Sequence, residues 1–206
     1  MSAPHNPRRE SALVLEDRIA WPELFGREAP LELEIGCGYG YFLMERARAL
    51  PGTDFVGLEI KNKLGLALQR KADRAGLTNL RAYVGDARII VPTLFAPGSL
   101  RAVHIQFPDP WWKKRHHKRR LVDAMMVDLL HLALEESGRV YLRTDILDYG
   151  RAMVESFEDG SGRFENLHGE GRFALDDGLG IPSNRERRYL ASGTPVYRLV
   201  YQRKPA

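Results

Sequence analysis

Cysteine is nearly missing from this chain: Cys37 is the only one in 206 residues. No intramolecular disulfide can form, and no zinc site can be built on several thiolates. A reducing, cytoplasmic setting is therefore expected. Long apolar runs are missing too, since nothing approaches the roughly 18–20 residues that span a bilayer. The first ten residues, from Met1 to Glu10, lack the apolar core and cleavage pattern of a secretory leader, and no membrane partner is expected. The chain also lacks a strong excess of one charge, at a net +4. That balance excludes a uniformly basic surface, but the charge is unevenly distributed. Lys113, Lys114, Arg115, Lys118, Arg119 and Arg120 place six cations and no acid in one short stretch, leaving the remainder net acidic. A positive field concentrated in this way suits a phosphate-binding patch. Hydrophobic content is 44%, ordinary for a folded chain and enough for one domain of this size.

From residue 31 onward, strand-like and helix-like stretches alternate. Leu31–Ile35, Asp54–Ile60, Asn79–Val84, Ala102–Phe107 and Gly138–Leu142 read as strands. Tyr41–Leu50, Asn62–Ala75, Ala87–Phe95 and Leu121–Glu136 read as helices between them. Such alternation implies a parallel sheet covered on both faces. The end departs from the pattern: Arg163–Leu167 and Val196–Gln202 read as two strands with no helix between them, an antiparallel finish. Residues 1–30, rich in proline and charge, read as a loosely ordered arm with one short helical piece, and 31–206 as a single domain.

Ligands of open α/β sheets bind beyond the carboxyl ends of the strands, so the residues after each strand carry the functional information. After the first comes Glu34-Ile-Gly36-Cys-Gly38-Tyr-Gly40. The spacing is G-x-G-x-G, one residue short of the dinucleotide pattern, which favours a loop packed against adenosine and an amino acid over one cradling a pyrophosphate. The second strand ends in Gly57-Leu-Glu59, where an acid can accept hydrogen bonds from two ribose hydroxyls. The third ends in Gly85-Asp86-Ala87; Asp86 can read an adenine amino group or simply cap the next helix. Three acids at successive strand ends suit a cationic sulfonium cofactor, S-adenosyl-L-methionine, better than polyanionic NAD. The fourth strand ends in Phe107-Pro-Asp109-Pro-Trp111-Trp112 and runs into the cationic stretch. Its prolines confine the backbone, holding Asp109 at the sheet edge between cofactor site and cations. One tryptophan is expected to pack under the turn, while tryptophan beside cations can stack on a nucleobase. His116 and His117 read as phosphate or backbone partners, and no metal is expected.

The run from Phe107 to Leu121, Phe-Pro-Asp-Pro-Trp-Trp-Lys-Lys-Arg-His-His-Lys-Arg-Arg-Leu, resembles the signature of the tRNA (guanine-N7-)-methyltransferase family. With Leu33–Gly40, Gly57-Leu-Glu59, Gly85-Asp-Ala87 and Arg143-Thr-Asp145, the likeness extends over about residues 31–150. The resemblance implies a Rossmann-like, seven-stranded methyltransferase sheet, mostly parallel with an antiparallel C-terminal strand and helices on both faces. It implies transfer of a methyl group from S-adenosyl-L-methionine to N7 of guanine 46 in the tRNA variable loop, with no obligatory protein partner. By position it assigns cofactor contacts to Glu34, Gly36, Gly38, Gly40, Glu59, Asp86 and Asp109. Asp109 matches the catalytic acid beside the cofactor, and Lys113 and Asp145 match substrate contacts. The family's Thr-x-x-Glu has its nearest equivalent in Ser183-Asn-Arg-Glu186. Arg115, Lys118, Arg119 and Arg120 are expected to contact RNA. Rival readings are a methyltransferase of an exocyclic nucleobase amine, a non-catalytic RNA-binding module and an NAD-dependent oxidoreductase.

Overall fold

The computed structural model describes residues 18–205; most of the expected N-terminal arm lies outside them. One seven-stranded sheet organises the chain, in the order β3-β2-β1-β4-β5-β7-β6. The strands are β1 (Leu31–Ile35), β2 (Asp54–Glu59), β3 (Leu80–Val84), β4 (Leu100–Gln106), β5 (Leu134–Thr144), β6 (Phe164–Asn166) and β7 (Tyr197–Arg203). The first five run parallel, while β7 pairs antiparallel with both β5 and β6. The sequence expectation of a mixed sheet with an antiparallel finish is met.

The sheet's two faces differ in chemistry. Leu31, Leu33 and Ile35 of β1, Val103 and Ile105 of β4, and Val140 and Leu142 of β5 point into the main apolar core. Side chains alternate along a strand, so Glu32, Glu34, His104, Gln106 and Arg143 emerge on the opposite face. The buried charge of Glu32 is paired there, as burial requires. Arg46 of α2 (Tyr41–Ala49) donates to both Glu32 oxygens, at 2.7 and 3.0 Å, and His104 Nε2 lies 2.8 Å from Glu32. Towards β3 this face turns apolar, with Leu43, Phe55, Leu68 and Leu80 packed together.

A short helix, α1 (Trp21–Phe25), fixes the end of the arm to the domain: Trp21 is buried and stacks on Phe95 at 4.8 Å. The next helices are α3 (Asn62–Arg74) and α4 (Ala87–Leu94), followed by a 3-10 helix over Lys114–Arg119 and then α5 (Ala124–Ala133) and α6 (Leu147–Phe157). Two expectations are corrected. The helix expected over Leu121–Glu136 ends at Ala133, because Leu134 already pairs with Leu100 and the strand then bulges before Arg139 meets Ala102. Ser137 adopts φ 63° in that bulge. A further helix, α7 (Asn184–Ser192), occupies the supposedly helix-free segment between the last two strands. Its sequence carries almost no apolar stripe, and only Glu186 is buried, so hydrophobic periodicity could not reveal it. Among the described residues no helix is long and apolar enough to cross a membrane.

Candidate active site

Strand order reverses between β1 and β4, which makes the cleft beyond their carboxyl ends the expected ligand site. The glycine loop enters this cleft. Gly36, Gly38 and Gly40 all have left-handed φ, at 76°, 55° and 70°, a conformation glycine adopts without strain. Gly40 has a second constraint: a Cβ there would lie 2.1 Å from Leu68 Cδ1. The loop is clasped by Glu59, whose Oε2 accepts the Gly38 N–H at 2.8 Å and whose Oε1 accepts the Lys61 N–H at 2.9 Å. Asp86 caps α4, with Oδ1 accepting the Arg88 N–H at 2.9 Å. Ile60 and Ile89, beside these two acids, are exposed apolar side chains.

Glu34 stands at the reversal point. Its Oε2 is buried without a hydrogen-bond partner, and so is Gln106 Nε2 at the end of neighbouring β4. Burial first, then repulsion from Glu59, pushes the Glu34 carboxyl up to about 8 against the opposing charges of Arg143 and Arg46. The folded state therefore keeps a proton that the unfolded chain releases near 4.5. This contribution to stability is full below pH 4.5 and is lost as pH rises to about 8, with a limiting slope of about 1.4 kcal/mol per pH unit. Urea unfolding across that window should show wild type losing stability relative to Glu34→Gln. Parallel curves would mean that Glu34 is ionised throughout.

The segment after β4 is strained. Phe107 and Trp111 adopt left-handed φ of 48° and 49°, genuine outliers for aromatic residues and characteristic of functional turns. The first turn is tied down by the Phe107 N–H, which donates to Arg143 O at 2.7 Å. Between these points Asp109 is exposed, and its carboxylate has no hydrogen bond or ion pair among the described residues. A shallow cavity of about 250 Å³ opens beside it, lined by Asp109, Pro110, Trp111, Trp112, Lys113 and His116. Trp111 is half-buried, edge-on to His116, with the Arg119 guanidinium 5.1 Å above its ring. Trp112 is 73% exposed; neither tryptophan packs into the core under the turn, and both line the cavity.

Asp145, after β5, is held by α7: Tyr189 donates its hydroxyl to Asp145 Oδ2 at 2.9 Å, and Arg185 lies 3.6 Å from the same oxygen. The Tyr189 ring packs edge-on against Phe107 at 5.6 Å. Helix α7 thus joins the two strand ends that carry Asp109 and Asp145, a role for Tyr189 and Arg185 that required knowing the helix exists. Ser183 and Glu186 also sit here, but they are already engaged. Ser183 Oγ caps α7 by accepting the Glu186 N–H at 3.2 Å. Glu186, 3% exposed, binds Arg143 Nη1 through one oxygen and Arg198 through the other, each at 2.5 Å. Arg143 completes the network with a fork onto Asp177, at 2.6 and 2.9 Å. Burial raises the Asp177 pKa, but this pairing outweighs it, leaving the carboxyl below its ordinary range.

Lys113, Lys114, Arg115, Lys118 and Arg119 are exposed along the 3-10 segment. Arg120 differs from them: it is 7% exposed and its guanidinium bonds Pro110 and Asp148.

The family model described as "Putative methyltransferase" matches residues 28–199. A protein from Myxococcus xanthus with the printed name "tRNA (guanine-N(7)-)-methyltransferase" is 48% identical over 178 residues, covering 86% of this chain and 85% of its own. A protein of the same name from Anaeromyxobacter dehalogenans is 51% identical over 192 residues, covering 92% and 94%. The chain belongs to the tRNA (guanine-N7-)-methyltransferase family. Solved structures agree on the methyltransferase fold alone. The antibiotic-resistance methyltransferase Kmr superimposes with a TM-score of 0.62 at 18% identity, covering 94% of each chain. The 16S rRNA methyltransferase KamB gives 0.62 at 14%, covering 92% of this chain and 96% of its own. In this methyltransferase the Gly loop, Glu59, Asp109 and Asp145 lie at the carboxyl ends of the parallel strands, the edge at which open α/β sheets bind ligands.

Proposed function

We propose that the protein transfers the methyl group of S-adenosyl-L-methionine to N7 of guanine 46 in the tRNA variable loop, acting in the cytoplasm. The supporting observation is the meeting of an acid-lined cleft, the unengaged carboxylate of Asp109 and the exposed cations at one sheet edge. The substrate assignment follows relatives about half identical to this chain. The cleft suits the cofactor: an unpartnered buried carboxyl at Glu34 fits a cationic ligand, and the glycine turns permit close backbone approach. When bound, the cofactor supplies a methyl group on positively charged sulfur. Glu34, Glu59 and Asp86 would hold it together with the backbone of Gly36, Gly38 and Gly40.

Neutral guanine carries a lone pair and no proton on N7, so the protein does not have to deprotonate the nucleophile. Its residues position the base and compensate charge. Asp109 accepts hydrogen bonds from the donor edge of guanine and offsets the positive charge that builds on the ring. Asp145 fixes the base from the adjacent strand end, and Lys113 holds the flanking nucleotide. Arg115, Lys118 and Arg119 neutralise phosphates, which makes affinity fall with salt. Ser183 and Glu186 act through α7, shaping the pocket wall. Incubation with unmodified bulk tRNA and methyl-labelled cofactor, followed by mass spectrometry of the nucleosides, tests the reading. Labelled 7-methylguanosine is expected. Label in another nucleoside would overturn the base assignment, and no label from folded, cofactor-bound protein would overturn the activity.

A further inference from the structure

Arg120 ends the cationic run, yet its surroundings are those of a brace. Its Nε donates to Pro110 O at 3.0 Å, and its Nη2 donates to Asp148 Oδ2 at 2.6 Å, with His117 Nε2 at 3.2 Å from the same nitrogen. The guanidinium plane covers the Tyr149 ring at 4.7 Å. Pro110 lies between Asp109 and the left-handed Trp111. Lacking an N–H, it offers only its carbonyl as a handle on the turn.

The other end of the brace is fixed. Asp148 and Tyr149 lie in the first turn of α6, only a few residues beyond Asp145. Tyr149 is fully buried, its hydroxyl accepts the Val122 N–H at 3.1 Å, and Met153 and Phe157 carry the same helix into the core. The Arg120 carbonyl is held in turn by Arg88 Nη2 at 2.9 Å, and that same nitrogen binds Asp123 at 2.8 Å. Contacts therefore run without a break from the Asp109 turn through Arg120 to the helix that follows Asp145.

We propose that Arg120 is a positioning residue: it sets Asp109 relative to Asp145 through Pro110 and α6, and it contributes no phosphate contact. The proposal rests on the methyl-transfer reading above. A planar fork that stacks on one ring while bonding two oxygens is not reproduced by lysine, so Arg120→Lys does not rescue function. Misplacing a reacting geometry by about 1 Å costs up to about 100-fold in rate.

The test compares Arg120→Met, Arg120→Lys and Asp148→Asn with Arg119→Met, using the full chain and unmodified tRNA. Three readouts are needed: single-turnover rate at saturating tRNA per cofactor-binding site, tRNA affinity against salt, and melting temperature. Both Arg120 variants should lose about 10- to 100-fold in rate, with the salt slope of tRNA binding unchanged. Arg119→Met should instead reduce that slope by about 0.9 and weaken tRNA binding. Asp148 has a side chain 72% exposed, so Asp148→Asn should fold and show a smaller rate loss if the Arg120 variants do not. A reduced salt slope with an intact saturated rate in the Arg120 variants would make Arg120 a phosphate contact and overturn the proposal. A lowered melting temperature with an unchanged rate per site would reduce it to a stabilising role. Wild-type protein that methylates no tRNA would instead sink the functional reading, separately from the brace.

Discussion

Asp109→Asn is expected to lower methyl transfer by about 10²- to 10³-fold, the loss found when one preorganised electrostatic partner is removed from an active site, while cofactor affinity stays unchanged. Asparagine keeps the size and the hydrogen-bonding oxygen, so the substitution removes charge and little else. Asp109 is exposed and supports no other described side chain, and such sites change stability by only about 0.5 kcal/mol. A drop in rate therefore cannot be ascribed to unfolding. The strained turn around it, with φ of 48° at Phe107 and 49° at Trp111, holds the carboxylate at the sheet edge before substrate arrives. Preorganisation of this kind matters because guanine becomes cationic as N7 is alkylated, and a fixed negative charge favours that state without reorganising. Single-turnover rates at saturating tRNA, with cofactor binding measured in parallel, check the outcome. Unchanged turnover would remove Asp109 from the mechanism and leave positioning to Asp145 and the turn itself. Reduced cofactor affinity with an unchanged saturated rate would place Asp109 in the cofactor site.

The parts of this molecule that could be read from sequence are those where one physical requirement dominates. Buried parallel strands demand apolar residues, so β1, β2 and β4 were evident. Left-handed turns demand glycine, so Gly36, Gly38 and Gly40 announced the loop. Proline restricts the residue before it, so the turn at Phe107 was anticipated, although not its left-handed φ. What could not be read is the direction in which a charged side chain points. Arg119 and Arg120 are adjacent and chemically identical, yet one lies over Trp111 at the surface while the other is 7% exposed and bound to Pro110. Ser183-Asn-Arg-Glu186 was equally ambiguous. As a substrate motif it concealed a capping signature, Ser or Thr followed three residues later by Glu, and the helix it starts was missed. Here the Ser183 half of that box forms, while Glu186 turns away to Arg143 and Arg198. Only the sheet topology, which brings β5 and β7 together, places both arginines beside that carboxylate.

That arrangement makes Arg143 the residue whose loss should cost the fold most. Arg143→Met is expected to destabilise the protein by about 3–5 kcal/mol, the cost of removing one partner from a buried ion network. The guanidinium is 3% exposed and serves two acids, forking onto Asp177 and reaching Glu186 with its remaining edge. Methionine fills similar volume but leaves Asp177 without its fork. Glu186 would keep Arg198, so the larger share of the loss falls at Asp177. Urea unfolding should show the midpoint falling by roughly 2 M, taking a typical slope of about 2 kcal/mol per M. Arg143→Met combined with Asp177→Asn separates the possible causes. If the penalty is the uncompensated charge on Asp177, the double variant should recover part of the stability lost by the single one. If it recovers nothing, the loss comes from packing or from Glu186. The same substitution reaches the active site by two routes. The opposing charge of Arg143 limits the rise of the Glu34 pKa, so its removal should extend the pH-dependent window of Glu34 to higher pH, with its lower edge unchanged. Its ion pair with Glu186 also anchors α7, whose Tyr189 holds Asp145, so surviving folded protein should bind guanine less productively. A loss below about 1 kcal/mol, as for solvent-exposed pairs, would mean that water reaches this network and that α7 is held by its cap and its contact with Phe107.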